Sequence, residues 1–285
     1  FTGSDRASCS CTCSNSYTGT NCQTPPSQTC TNGADGKTCG SNGVASGTFT
    51  GSDRASCSCT CSSNSYTGEN CEFELSTFST NWCGSNSLTG QHTLPRGSTC
   101  NFSGQHITIS GSLVLSSASG SGDLAILRQT RANSRGSFFY VNKGELKLFD
   151  LLLENGKTTN PGGALYIQGD VSFTAKVTML RSTIRGCEAS NNGGAVHMTG
   201  GGVSGKAVLV LISSSLELNK GGNNGGGAIY AEKGASVVVR GGTPSYLKNN
   251  EATNHGAGIF LKDAGTSLSV KGSGTQLTID ENTAE

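Results

Sequence analysis

The chain has 285 residues, with 42 glycines, 13 cysteines and 20 basic against 19 acidic side chains. Glycine at roughly twice its usual share makes poor helix material, since each glycine inside a helix costs about 1 kcal/mol relative to alanine; almost no α-helix is expected. The hydrophobic fraction of 33% already counts the cysteines and is too small for one thick core, so a thin core repeated along an axis is the expected solution, in about two domains.

A formal charge of +1 without any block of like charge gives a counterion-release site nothing to stand on, so no nucleic-acid partner is expected. The longest apolar run, Ala207 to Ile212, is far short of the roughly 20 residues of a spanning helix, and no membrane span is expected in this segment. Twelve cysteines fall in the first hundred residues, a density that points to an oxidising compartment.

The N-terminal part is a tandem repeat. FTGSDRASCSCTC at Phe1 to Cys13 recurs letter for letter at Phe49 to Cys61, and SNSYTGTNC recurs as SNSYTGENC. One full module runs from Cys30 to Cys71 and is assigned residues 30–72. Residues 1–29 hold only the last four cysteines of a preceding copy, so the chain is expected to begin inside a module. Six cysteines leave 15 pairings open from sequence alone.

The C-x-C pattern followed by Tyr, Gly and a final Cys (CTCSNSYTGTNC, Cys11 to Cys22) resembles the C-terminal half of an EGF-like domain, and the Asn-Gly pairs after Cys30 and Cys39 are similar to that family's turns. The resemblance implies pairing of Cys30 with Cys57, Cys39 with Cys59 and Cys61 with Cys71. In the broken copy it implies Cys13 with Cys22, leaving Cys9 and Cys11 without partners. Calcium-binding members carry carboxylates before the first cysteine; here that segment is QTPPSQT, so no calcium is expected. Zinc is disfavoured because no histidine accompanies these cysteines and CSCTC lacks the two-residue gap of a zinc knuckle.

Residues 73–104 are read as a linker and cap. Cys83 and Cys100 bracket a short Gly, Ser and Pro-bearing loop and are expected to close it. Asn101-Phe102-Ser103 is an N-glycosylation sequon, making Asn101 the candidate for a covalent glycan.

From residue 105 to 285 a different repeat takes over. NPGGALYI, NNGGAVHM, GGGAIYAE and NHGAGIFL align Ala164, Ala195, Ala228 and Gly258 at spacings of 31, 33 and 30. A second column, Asn155, Cys187, Asn219, Asn250 and Asn282, keeps nearly the same period, and three residues before each stands Leu152, Ile184, Leu216, Leu247 or Ile279. Alternation within each segment is the signature of a strand with one buried face. Apolar positions returning at that period predict one winding per repeat, with like stacked on like. The fold class expected is therefore all-β: disulfide-rich modules followed by a right-handed parallel β-helix, expected to be cut at its C-terminal end or to have its open edge covered there by another chain. The GGA[IV] motif with its upstream Asn resembles repeats of polymorphic outer-membrane proteins and related extracellular β-helices.

Several residues stand out as candidate sites. Tyr166, His197, Tyr230 and Phe260 form a column on the outer face, which reads either as a strip for sugar rings or a neighbouring subunit, or as an ordinary side-chain ladder along a sheet; the ladder is favoured. Parallel β-helices also serve as polysaccharide lyases and hydrolases, whose chemistry needs clustered carboxylates. Here Glu154, Asp170, Glu217, Glu232, Glu251 and Asp263 are scattered, and the lateral neighbours of Glu154 read as Gly186, Leu218 and Asn249. No enzyme activity, catalytic residue, metal or cofactor is expected. Cys187 takes an asparagine position, as a buried free thiol or, alternatively, in an intermolecular disulfide.

Repeated cysteine-rich modules joined to a stackable rod fit an extracellular or cell-surface structural protein, with copies of itself or other filament subunits as partners. The module pattern is similar to the EGF-like repeats of tubular mastigoneme proteins, the stiff flagellar hairs of stramenopile algae, which implies a mechanical hair-shaft role. The competing class is an adhesin that binds carbohydrate or a host surface through the side of the coil.

Overall fold

The computed structural model describes residues 27–33, 38–39, 43–46, 48–50, 57–61, 66–67, 71, 73–74, 83, 88–102, 106–118, 122–130, 136–202 and 206–284. Every regular element among them is a strand, as the glycine content and the short repeat anticipate.

Around the cysteines the strands are short and antiparallel. Ser27–Thr29 pairs with Thr48–Thr50, Gly43–Ser46 with Ser58–Cys61, and Tyr66–Thr67 with Phe73–Glu74. Disulfides join Cys30 to Cys57, Cys39 to Cys59 and Cys61 to Cys71. Their small apolar cluster consists of Cys30 and Cys57 with Ala45 against them, so covalent links stand in for a core.

From Gly90 onward the chain winds into a parallel β-solenoid of six full turns and the start of a seventh. The first sheet has seven strands, beginning with Gly90–Leu94 and ending with Ser267–Lys271. The second also has seven, from Thr99–Phe102 to Leu277–Asp280. The third has six, from Ile107–Ile109 to Ile259–Leu261. A fourth, of two-residue strands from Lys157–Thr158 to Thr283–Ala284, turns the corner between the second and third. The winding thus starts inside the segment read as a linker: both flanks of the Pro95 turn already pair in parallel, Leu94 with Ser117 and Cys100 with Leu127. Cys83, bonded to Cys100, and Leu88 pack against the end of the core.

The interior is a set of single-file apolar columns. Leu113, Leu146, Val177, Leu209 and Val237 lie in register one winding apart, as do Leu115, Leu148, Met179, Leu211 and Val239, and all are fully buried. The third sheet contributes Phe139, Leu165, Val196 and Ile229. Phe102, Phe138 and Phe139 fill the first windings with edge-on and tilted rings.

The GGA motif is a corner whose steric demands repeat. Its first glycine has a positive φ at Gly162, Gly193, Gly226 and Gly256, a conformation open to glycine without penalty. Its second has no space for a side chain: a Cβ on Gly163, Gly194 or Gly227 would lie 2.1, 2.2 or 2.3 Å from the carbonyl oxygen of the next winding. Alanine follows because that position points into the closed core.

The sequence columns need a one-residue correction in the third winding. Leu153, not Leu152, lies in file with Ile184, Leu216, Leu247 and Ile279, and Glu154 pairs with Arg185 instead of Gly186. Asn155 is accordingly outside the asparagine column; it takes the left-handed corner with Gly186, Leu218, Asn249 and Glu281, and Gly156 occupies the interior place. The spacing there is one shorter than the sequence columns assume, and a one-residue slip along a strand exchanges inside for outside.

Candidate functional site

The inward corner beyond the second sheet is a hydrogen-bond ladder. Asn219 Nδ2 donates to Asn250 Oδ1 (2.9 Å) and Asn250 Nδ2 to Asn282 Oδ1 (2.8 Å). The same oxygens accept the backbone N–H groups of Asn219 and Asn250 (3.0 and 2.9 Å). The second amide protons reach the carbonyls of Ile184 and Leu216. Cys187 continues this ladder: its N–H donates to Asn219 Oδ1 (3.0 Å) and its Sγ accepts from the N–H of Gly156 (3.3 Å). Burial pushes the pKa of this thiol up to about 12, so it stays protonated and unreactive. A second ladder, of Ser182, Ser214 and Ser245, accepts the N–H groups of Leu151, Ser182 and Ser214 at 3.2 Å each.

The outer face of the third sheet carries the aromatic column. Tyr166, His197, Tyr230 and Phe260 are in register, with centroids 5.1, 5.2 and 5.4 Å apart. Tyr140 extends it below Tyr166 at 5.1 Å, and His106 and His255 close on its two ends. Tyr140 stacks on Tyr166 and His197 on Tyr230, whereas Tyr166 meets His197 edge-on and Tyr230 meets Phe260 tilted. His197 and Tyr230 are 4% and 2% exposed, so they present almost nothing outward. Burial, helped by the positive charge of Lys233, holds the pKa of His197 down at about 4. Burial and the nearby Glu232 carboxylate push that of Tyr230 up to about 12. Tyr140 and Tyr166 are more open and border a shallow cleft with His106, Asn160 and Pro161.

A third surface was not legible as a constellation. Along the outer edge of the second sheet the column reads Arg128, Glu154, Arg185, Glu217, Lys248, Asp280, alternating in sign at every winding. Three residues on, Lys157, Glu188, Lys220 and Glu251 alternate in the same way. Glu154 is clamped by Arg128 Nε (2.5 Å) and Arg185 Nη2 (3.1 Å). Burial alone would raise its pKa, but the two guanidiniums outweigh that and hold it below the usual carboxylate range. Lys157 pairs with Glu188 (2.9 Å) and Lys220 with Glu251 (2.6 Å). Between these columns runs the left-handed corner, where Leu218 is 58% exposed at φ 55°. An L-residue other than glycine or asparagine there costs about 1 kcal/mol or more.

The remaining acidic candidates do not converge. Glu232 lies within 3.6 and 3.8 Å of Lys233 and Lys262, and Asp170 accepts the N–H groups of Ser172 and Phe173 in a turn. Among the described residues no group of three His, Cys, Asp or Glu side chains could hold a metal ion. Asn101 is exposed on the edge strand Thr99–Phe102 of the second sheet. Cys9, Cys11, Cys13 and Cys22 lie outside the described residues.

Tyr140 was detectable as one more member of the aromatic series, and the serine ladder as serines that return at the period of the repeat. The charge columns needed the corrected register first. Compared with family models, curated proteins and solved structures, the chain matches none.

Proposed function

We propose that this chain is a structural subunit of an extracellular filament or appendage, working mechanically and without catalysis. The solenoid fold and the disulfides are consistent with a secreted structural or adhesive role. The observation that carries the filament reading is the continuity of its ladders. Amide, serine, aromatic and charged columns run winding upon winding along one axis, so axial load is shared by backbone hydrogen bonds and by side chains of several kinds. Glu154, Glu188 and Glu251 are tied to cations within those columns, the opposite of the free, convergent pair that hydrolysis requires. The cysteine-rich repeats, read as EGF-like modules, supply covalent toughness beside the rod. Resemblance to tubular mastigoneme proteins narrows the proposal to a flagellar hair shaft that increases hydrodynamic drag.

Electron microscopy of the purified chain over a range of concentrations tests this. Regular polymers support it; monomeric rods at every concentration refute it. The adhesin reading is favoured by one feature, the cleft between Tyr140, Tyr166 and Asn160. Monomeric rods that bind an immobilised oligosaccharide, and lose that binding on Tyr166→Ala, would establish the adhesin in its place.

A further inference from the structure

We propose that the corner between the second and fourth sheets is a self-recognition ridge, on which a second copy of this chain docks side by side and antiparallel. The inference deepens the filament reading and rests on it. It starts from a property of the two charged columns: each alternates in sign and has an even number of members. Such a row is complementary to itself when reversed. Place a two-fold axis in the contact plane, perpendicular to the solenoid and midway between the winding of Glu188 and that of Lys220. Glu188 then faces Lys220 of the second copy, and Lys157 faces Glu251. In the neighbouring column Arg185 meets Glu217 and Arg128 meets Asp280, while Glu154, buried under Arg128 and Arg185, lies level with Lys248 without reaching the surface.

The competing arrangements fit less well. An antiparallel pair shifted by one winding puts each charge against its own kind. A parallel pair, related by a two-fold axis along the solenoid, sets one column against the other with opposite signs. It also lays the corner upon itself, with Leu218 tip to tip with Leu218 and Glu281 against Glu281. Charge complementarity at exposed positions contributes orientation more than affinity, so an apolar anchor that interlocks is also needed. Leu218 supplies it in the antiparallel pair alone. The axis that pairs Glu188 with Lys220 sets Leu218 of one copy opposite Gly186 of the other, a large exposed side chain against the corner member that has none. The strained left-handed backbone at Leu218, where Asn155 and Asn249 take the less costly residue, has its use in that contact.

The full chain separates the possibilities by sedimentation equilibrium and zero-length carbodiimide cross-linking. A dimer at low ionic strength that weakens steeply with added salt is expected. Lys157 and Glu251, both exposed, are three windings apart, roughly 14 Å along the axis. A cross-link between them therefore reports the antiparallel neighbour and not the same chain. Leu218→Asn should weaken the dimer about tenfold or more by removing both anchors, while raising the thermal stability of the monomer because asparagine tolerates the left-handed corner. The stability gain guards against misfolding as the cause. A monomer under all conditions, a dimer indifferent to salt and to Leu218→Asn, or cross-links confined to the same or adjacent windings would each overturn the proposal. Polymers seen by microscopy without the long-range cross-links would refute the ridge and leave the filament reading standing; the cross-linked dimer without polymers would do the reverse.

Discussion

Replacing Asn250 by alanine tests the amide ladder at its best-connected rung. The wild-type side chain is 1% exposed and accepts from both the N–H and the Nδ2 of Asn219, at 3.0 and 2.9 Å, while donating to the Leu216 carbonyl at 2.9 Å and Asn282 Oδ1 at 2.8 Å. Asn250→Ala leaves two buried donors of Asn219, its N–H and one Nδ2 proton, without partners, while the Leu216 carbonyl keeps its place in the backbone ladder with Lys248. Asn282 is more open, and water can replace its lost bond. At about 1–3 kcal/mol for each orphaned buried group, the expected loss is about 4 kcal/mol. A solenoid unfolds winding by winding, and a single global transition understates such a local loss. The measurement is therefore amide hydrogen exchange, in which the backbone N–H of Asn219 should lose about a thousandfold protection. Asn249→Ala, at the exposed corner beside it, is the control and should cost about 1 kcal/mol. A loss below about 1 kcal/mol for Asn250→Ala would refute the assignment of the ladder as a principal support of the corner.

Other predictions rest on the same geometry. His197 has its folded pKa lowered to about 4 from 6.5, so the unfolded chain binds more protons between these values. Stability is then complete above pH 6.5 and falls by about 3 kcal/mol on acidification to pH 4; His197→Phe should flatten that window in urea titrations. Glu154 is depressed in the folded state, and its contribution disappears separately, below pH 4.5. Gly194→Ala puts a methyl 2.2 Å from the Gly227 carbonyl oxygen and should cost about 3 kcal/mol or more, read as a lowered Tm. Cys187→Asn should extend the ladder by one rung toward Gly156 and stabilise by about 1 kcal/mol; a lower urea midpoint would contradict this.

The solenoid was legible because its physics is one-dimensional. A winding cannot bury its own apolar face, so identical demands return once per winding and leave GGA corners and aliphatic files in plain view. Leu152 and Asn155 were misplaced for a related reason. Two periods that differ by a single residue both fit the letters, and only the left-handed φ at Asn155 shows where the corner turns. That single residue decided the functional surface as well: with Glu154 set beside Gly186 the charges looked scattered, and with Glu154 set beside Arg185 they form an alternating column. The burial of His197 and Tyr230 could not be read from alternation, which gives the direction of a side chain but not what its neighbours cover.

Alternating charge obeys a rule opposite to that of the other ladders, and the difference is testable. Asparagine, serine, aromatic and aliphatic columns gain when like stacks on like, so removing one winding leaves them matched. Charged columns do not tolerate it. Excising residues 188–219 would bring Lys157 against Lys220 and Arg185 against Lys248, by continuation of the existing register. Reversing the charges beyond the junction, with Lys220→Glu, Glu251→Lys, Lys248→Glu and Asp280→Lys, restores opposite neighbours in the shortened chain. In the intact chain the same four changes create like pairs at Glu188 and Glu217. They should therefore stabilise the shortened solenoid by about 1 kcal/mol and destabilise the intact one by a similar amount, both effects shrinking in high salt. A reversal of sign between two backgrounds cannot come from helix or strand propensity, which is common to both. If the four changes act in the same direction in each, the columns do not set the register of the windings, and the antiparallel ridge loses its electrostatic basis with them.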